Sequence, residues 1–236
     1  MQLSLLSTDS LRFPPTSNAL AEPDGLLAVG GDLSPERLIA AYRQGIFPWF
    51  EEGQPILWWS PDPRSVRHPS EVRVSRSLQR ATRRFDLVAD SAFAEVMDAC
   101  AAPRGSDAST WITADMKAAY CHLHELGIAH SMEAWQDGQL VGGLYGIALG
   151  RVFFGESMFH RVSDASKVAF VGLARRLQRA GFELIDCQVQ TGHLDSLGAQ
   201  QVPRVDFERR LGTLTNCLPL ADPFSNTDPL TNSGPD

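Results

Sequence analysis

Residues 153–188 read FFGESMFHRVSDASKVAFVGLARRLQRAGFELIDCQ, and their reading decides the fold. A short strand runs into Gly155-Glu156-Ser157-Met158. A helix follows, with Ser163 as the expected N-cap, because its hydroxyl can accept from a free N–H of the first turn, and Asp164 beside the positive end of the dipole. Val168, Phe170, Val171, Leu173, Ala174 and Leu177 recur at helical spacing, and Arg175, Arg176, Gln178 and Arg179 are expected outside. Gly181 is the expected left-handed stop. Leu184 to Val189 then reads as a strand that places Asp186 and Gln188 on one face and Ile185 and Cys187 on the other. Two polar groups on an apolar strand need partners if buried, which makes them the first candidates for chemistry.

Working outward, a chain of 236 residues with 43% hydrophobic and 21% charged content fits an ordinary globular protein. No apolar run approaches the roughly 20 residues of a membrane span, and the N-terminus lacks a basic leader, so neither a membrane nor a signal peptide is expected. Cys100, Cys121, Cys187 and Cys217 form no CxxC pair, and the six histidines are scattered. Reduced thiols are therefore expected, with no metal and no cofactor. The net charge of −7 argues against a general nucleic-acid binder. Of 21 basic residues, however, all but Lys117 and Lys167 are arginine, and seven arginines fall between positions 64 and 84, where Glu71 is the only acid. After Ser75, a helix cap, Arg76, Arg80, Arg83 and Arg84 line one helical face. Like charges in that register repel, so the run is expected to dock an anion.

Residues 11–62 are punctuated by Pro and Gly and hold three of the five tryptophans within eleven residues. Ser34-Pro35-Glu36 starts a helix that Gly45 ends. Glu71 to Val74 reads as a short strand. Helices are expected at 92–101 and 114–126, the latter capped by Thr113. Asp137-Gly138, between alternating runs at 130–135 and 140–149, signals a hairpin. The last residues, ADPFSNTDPLTNSGPD, lack apolar periodicity and read as a disordered tail from 221. Periodicity alone gives a mixed chain of helices and strands, divided near position 62 into residues 1–62 and 63–220.

The strings GLLAVGGDLSPERLIAAYRQGIFPWF (25–50), LWWSPDPR (57–64), ESMFHRVSDASKVAF (156–170) and LIDCQVQTGHLDSLGA (184–199), in that order, resemble the bacterial leucyl/phenylalanyl-tRNA–protein transferases. The resemblance spans about residues 11–211. It implies an α+β fold class, with a small N-terminal α/β domain at 1–62 followed at 63–220 by a GNAT-like acyltransferase domain that has a mixed, mostly antiparallel sheet flanked by helices, in a cytoplasmic enzyme expected to be a monomer. It also implies transfer of Leu or Phe from aminoacyl-tRNA to proteins beginning with Arg or Lys, which marks them for N-end rule degradation. Trp49 and Trp111 fall on family positions that hold the terminal adenosine of tRNA, a role suited to stacking aromatics. Trp58 and Trp59 read as structural. The arginine face would hold the tRNA backbone. The resemblance further implies an aminoacyl pocket lined by Leu144, Phe153, Met158, Phe170, Leu173, Leu177 and Ile185. Such an apolar slot separates similar side chains weakly, so Met should leak in.

Aminolysis of an ester asks little of a base, because a terminal amine has a pKa of about 7.7–8.0. Gln188 is expected to accept a hydrogen bond from the amine while its NH₂ donates to Asp186, with Glu156 orienting the amine or meeting the acceptor's basic side chain. No residue is expected to abstract a proton. An ion pair with an arginine is the plainer alternative for Asp186 and Glu156. Two other functions stay open. A CoA-dependent acetyltransferase would want glycines where His160 to Ala165 has none. A non-catalytic tRNA-binding module would leave Glu156, Asp186 and Gln188 idle.

Overall fold

The computed structural model describes residues 3–102 and 112–226. Its first sheet is built from β1 (Ser4–Leu6), β2 (Leu26–Gly30), β3 (Phe47–Pro48) and β4 (Leu57–Trp59), ordered β1-β2-β4-β3, with helix α1 (Pro35–Tyr42) between β2 and β3. The chain then enters a second sheet. Its strands are β5 (Arg64–Arg67), β6 (Asp86–Ala89), β7 (Ala129–Gln136), β8 (Gln139–Leu149), β9 (Val152–His160), β10 (Leu184–Gln188) and β11 (Gln200–Val202), ordered β11-β5-β10-β9-β8-β7-β6. The helices in this part are α2 (Arg76–Ala81), α3 (Phe93–Ala101), α4 (Ala114–Glu125), α5 (Ala165–Arg179), α6 (Gly192–Ser196) and α7 (Arg204–Leu214). Every neighbouring pair in the second sheet is antiparallel except β9 and β10. Parallel neighbours need a long crossover, and α5 supplies it. The α+β class, with a mixed, mostly antiparallel sheet flanked by helices, is the observed one. Among the described residues no helix is long and apolar enough to cross a membrane.

Successive strand residues point to opposite faces, and Phe153 and Phe154 divide accordingly. Phe154 joins a cluster with Tyr120, Tyr145 and Phe207 that also takes in Leu27, Tyr42 and Trp58 of the first unit. Phe153 joins a second cluster, with Phe170, Leu173, Leu177 and Ile185, under α5. The two sheets therefore share one apolar core. Two glycines of β8 permit the close packing of the other face. At Gly142 a Cβ would lie 2.5 Å from the Ala165 Cβ, and at Gly146 one would lie 2.6 Å from the Phe153 ring.

Four local expectations need correction. Residues 71–74 form no strand: a 3-10 turn at Pro69–Glu71 leads the chain off the sheet, and Val72 and Val74 pack singly against the second core. The strand of this region is β5, hidden in the arginine run. Ser163 does not cap α5; Asp164 sits at the cap with a left-handed φ of 71° and no side-chain cap bond. The seating of Ala165 on Gly142 governs where this helix starts. Arg176 is buried rather than outward, because residues 221–226 lie over it. Those residues were expected within a disordered tail; instead Phe224 is buried and Asn226 bonds the backbone of Ala89. Residues 227–236 lie outside the described residues.

Candidate active site

Two β-bulges build the site. On β9 the register with β8 shifts between Gly155 and Ser157, leaving Glu156 as the extra residue. On β10 the register with β5 shifts between Asp186 and Gln188, and Gln188 takes a left-handed φ of 60°. Bulges re-aim side chains, and these two converge. Gln188 Nε2 donates to Glu156 Oε1 at 2.7 Å. The same oxygen accepts from the Tyr42 hydroxyl of α1 at 2.6 Å, and Glu156 Oε2 lies 3.2 Å from the Tyr120 hydroxyl of α4. The two tyrosine hydroxyls also hydrogen-bond each other.

Burial pushes the Glu156 carboxyl up to about 8, against the pull of the Tyr42, Tyr120 and Gln188 hydrogen bonds, with the nearby Asp186 charge adding to the rise. Burial and the Glu156 charge raise both tyrosines well above the ordinary phenol value. A protonated Glu156 closes a ring: its O–H donates to Tyr120, Tyr120 to Tyr42, and Tyr42 back to Oε1, so every hydroxyl is satisfied.

Asp186 plays a different part from the one expected. Its carboxylate, fully buried, accepts from Arg64 Nε at 2.8 Å and Nη2 at 2.6 Å. The Arg64 guanidinium lies between the Phe47 and Phe207 rings, at 4.8 and 4.7 Å. Asp186 Oδ1 also accepts from the Gln188 backbone N–H at 2.9 Å. The Gln188 side-chain amide goes to Glu156, not to Asp186. The arginine ion pair considered for both acids therefore holds for Asp186 and fails for Glu156. The bulge is the physical reason: it breaks the strand alternation on which the shared face of Asp186 and Gln188 rested.

A cavity of about 390 Å³ opens beside this carboxyl. Leu144, Phe153, Met158, Phe170 and Ile185 border it, joined by Ser166, Cys187, Thr191 and His193. Leu173 and Leu177 do not reach it. Only the first turns of α5, at Ser166 and Phe170, border the space; Leu173 and Leu177 lie further along and are packed into the core. Burial pushes the Cys187 thiol far up, so it is an inert wall group. Burial, with the charges of Lys167 and His160, holds the His193 imidazole low.

Arg76, Arg80, Arg83 and Arg84 are all exposed on α2 and the turn after it. Arg84 lies over the Phe85 ring, and none of the four forms an ion pair among the described residues. Arg64 and Arg67, of the same run, are instead buried and paired with Asp186 and Glu71. Trp49 is about half exposed beside Trp59, whose indole N–H donates to its carbonyl. Trp58 is buried and bonds Gly30 O, a structural role. Trp111 lies outside the described residues. Sequence reasoning missed Tyr42, Tyr120 and Arg64. Each sits in an ordinary helical or basic context, and nothing local marks it as a partner of a residue 36 to 122 positions away.

A slot of apolar side chains that ends on a part-buried carboxyl of raised pKa and an amide can hold an apolar substituent beside a group able to exchange a proton near neutral pH. Residues 66–212 match the family model described as leucyl/phenylalanyl-tRNA protein transferase, and residues 31–62 match that of its N-terminal domain. Relatives named leucyl/phenylalanyl-tRNA–protein transferase come from Nitrosospira multiformis (63% identical over 90% of this chain and 92% of that one) and Stutzerimonas stutzeri (60%, over 89% and 93%). The chain belongs to the leucyl/phenylalanyl-tRNA protein transferase family and is an aminoacyltransferase. Among solved structures, a GCN5-related N-acetyltransferase-like protein from Streptococcus suis shares 12% identity over 67% of this chain and 60% of that one, at a TM-score of 0.32. The fold described above rests on strand order and register rather than on that likeness.

Proposed function

We propose that the chain transfers Leu or Phe, and less well Met, from aminoacyl-tRNA to the α-amino group of proteins beginning with Arg or Lys. Family membership supports the donor and the reaction. The observation that carries the mechanism is the Glu156 carboxyl, buried among Tyr42, Tyr120 and Gln188 at the wall of an apolar cavity. The aminoacyl side chain fills the slot of Leu144, Phe153, Met158, Phe170 and Ile185. The amine nitrogen attacks the ester carbonyl carbon, forming the C–N bond. Against the expectation that no residue abstracts a proton, ionised Glu156 takes the proton lost by nitrogen and returns it to the ribose oxygen as the C–O bond breaks. With its carboxyl pushed up to about 8, ionised Glu156 is basic enough to take that proton, and the cycle returns it with no net proton lost. Gln188 holds Glu156 in place. Asp186 is a positioning residue: with Arg64 it pins the backbone N–H that projects Gln188.

Trp49 and Trp111 are assigned to the terminal adenosine, and Arg76, Arg80, Arg83 and Arg84 to tRNA phosphates. An aminoacyl-tRNA donor supports a cytoplasmic reaction, and products with a new N-terminal Leu or Phe would enter N-end rule degradation. Incubated with labelled Leu-tRNA and an Arg-initiated peptide, without CoA, the protein should form labelled Leu-Arg-peptide. Absence of that product would overturn the reading. Reversing Arg76 and Arg80 to Glu should weaken tRNA binding roughly uniformly across tRNA sequences. It should also reduce the slope of log affinity against log salt by about one or two, since each lost phosphate contact removes about 0.7–0.9. Filter-binding titrations between low and moderate salt check this, and an unchanged slope would reject the arginine assignment.

A further inference from the structure

We infer that Phe224, in the segment after α7, is a specificity-setting positioning residue for the aminoacyl cavity; this rests on the reading of that cavity given above. Phe153 is one of the aromatic residues that line the cavity. Its ring lies against Gly146, which presents no side chain to it. What stands beside it is Phe224, with ring centroids 6.2 Å apart. Phe224 does not itself line the cavity; it backs the ring that does.

The backing ring is held in place from several sides. Phe224 stacks on the His130 imidazole at 3.6 Å with an interplanar angle of 3°, and His130 is bonded to Asp90 at 2.6 Å. The buried Arg176 of α5 donates to Pro223 O at 3.3 Å, Ser225 O at 3.0 Å and Asn226 Oδ1 at 3.3 Å. The Asn226 amide meets both backbone groups of Ala89 on the edge strand β6, at 3.1 and 2.7 Å. Arg176 belongs to the same helix as Phe170 and Ser166, so one rigid element carries both a wall of the cavity and the latch of its backing ring. Residues 221–226 lie beyond the 66–212 that match the family model.

Interiors are close-packed, so emptying the space behind a wall lets that wall retreat. Phe224→Ala should let Phe153 tilt away and deepen the slot, and Phe224→Trp should press Phe153 inward. The test measures kcat/KM for Leu-tRNA and for Phe-tRNA with one acceptor peptide. Expected is a rise of about tenfold in the Phe:Leu ratio for Phe224→Ala, the size of a methylene's discrimination in an apolar slot. Phe224→Trp should lower the ratio, and Phe224→Leu should stay near the natural value. Arg176→Lys, which loosens the latch without altering the ring, should move the ratio in the same direction as Phe224→Ala and covers the case in which the alanine variant does not fold. Met158→Ala, in the cavity wall itself, serves as reference. If it shifts the ratio while the Phe224 and Arg176 variants change only thermal stability, the segment is a staple and the inference falls. If Met158→Ala leaves the ratio unchanged as well, the cavity reading falls and takes the inference with it.

Discussion

Glu156→Gln is expected to lower the single-turnover transfer rate by about 10²- to 10⁴-fold, the usual range for loss of a positioned proton acceptor. The substitution suits the site because a glutamine mimics the protonated carboxyl. Its oxygen can accept from Tyr42 and Gln188, and its NH₂ can donate to Tyr120, whose partners are unchanged. The fold should survive while the proton acceptor is lost. Two groups must be deprotonated in the natural protein, Glu156 near 8 and the amine near its usual value. Log rate should therefore climb with pH with a slope approaching two below neutrality, and with a slope of one in the variant, where only the amine titrates. A rate within a few-fold of the natural one, with the steeper slope retained, would reject the role.

The same carboxyl should register in stability. Its value is 4.5 for the free side chain and about 8 in the folded chain. Between those limits the folded state binds a proton that the unfolded state does not, so stability falls as pH rises through the window. The stabilising contribution is complete below about 4.5 and gone above about 8. Because Glu156 keeps some exposure to the cavity, the change is at most a few kcal/mol. The difference in unfolding free energy between Glu156→Gln and the natural chain should grow in favour of the variant from pH 5 to pH 8, as urea titrations at several pH values would show. A constant difference would mean that Glu156 titrates normally.

Arg64→Met is expected to destabilise the chain by about 3–5 kcal/mol, because it leaves the Asp186 carboxylate buried without its counter-ion. Lysine should rescue little. It cannot present two parallel donors to Asp186 or lie flat between Phe47 and Phe207. The double variant Arg64→Met with Asp186→Leu should recover much of the stability, since apolar side chains of similar volume often replace a buried ion pair without loss. Transfer activity should not return with it, because the Gln188 backbone N–H has still lost its acceptor. Denaturant unfolding beside single-turnover rates separates the two effects. Recovery of both together would show that Asp186 serves stability alone.

Much of this protein can be read along the chain. Helical periodicity from Val168 to Leu177, the stop at Gly181 and the Asp137-Gly138 turn all reappear where short-range rules place them. The caps at Ser75 and Thr113 do as well. Five of the seven residues that the family resemblance put at the aminoacyl pocket border one space, whereas periodicity alone marks them only as apolar core positions. Partner choice follows no such rule. Whether Asp186 answers an amine or an arginine depends on Arg64, 122 positions earlier, and Glu156 is neutralised by burial between helices that meet only in the assembled core. A bulge at Cys187 turns a regular strand into one that aims Gln188 across to β9, and nothing in LIDCQ announces it. Local propensity acts over one or two turns, whereas desolvation and ion pairing depend on the whole surround. The residue types of the site are therefore legible in the sequence, and their protonation states and pairings belong to the fold.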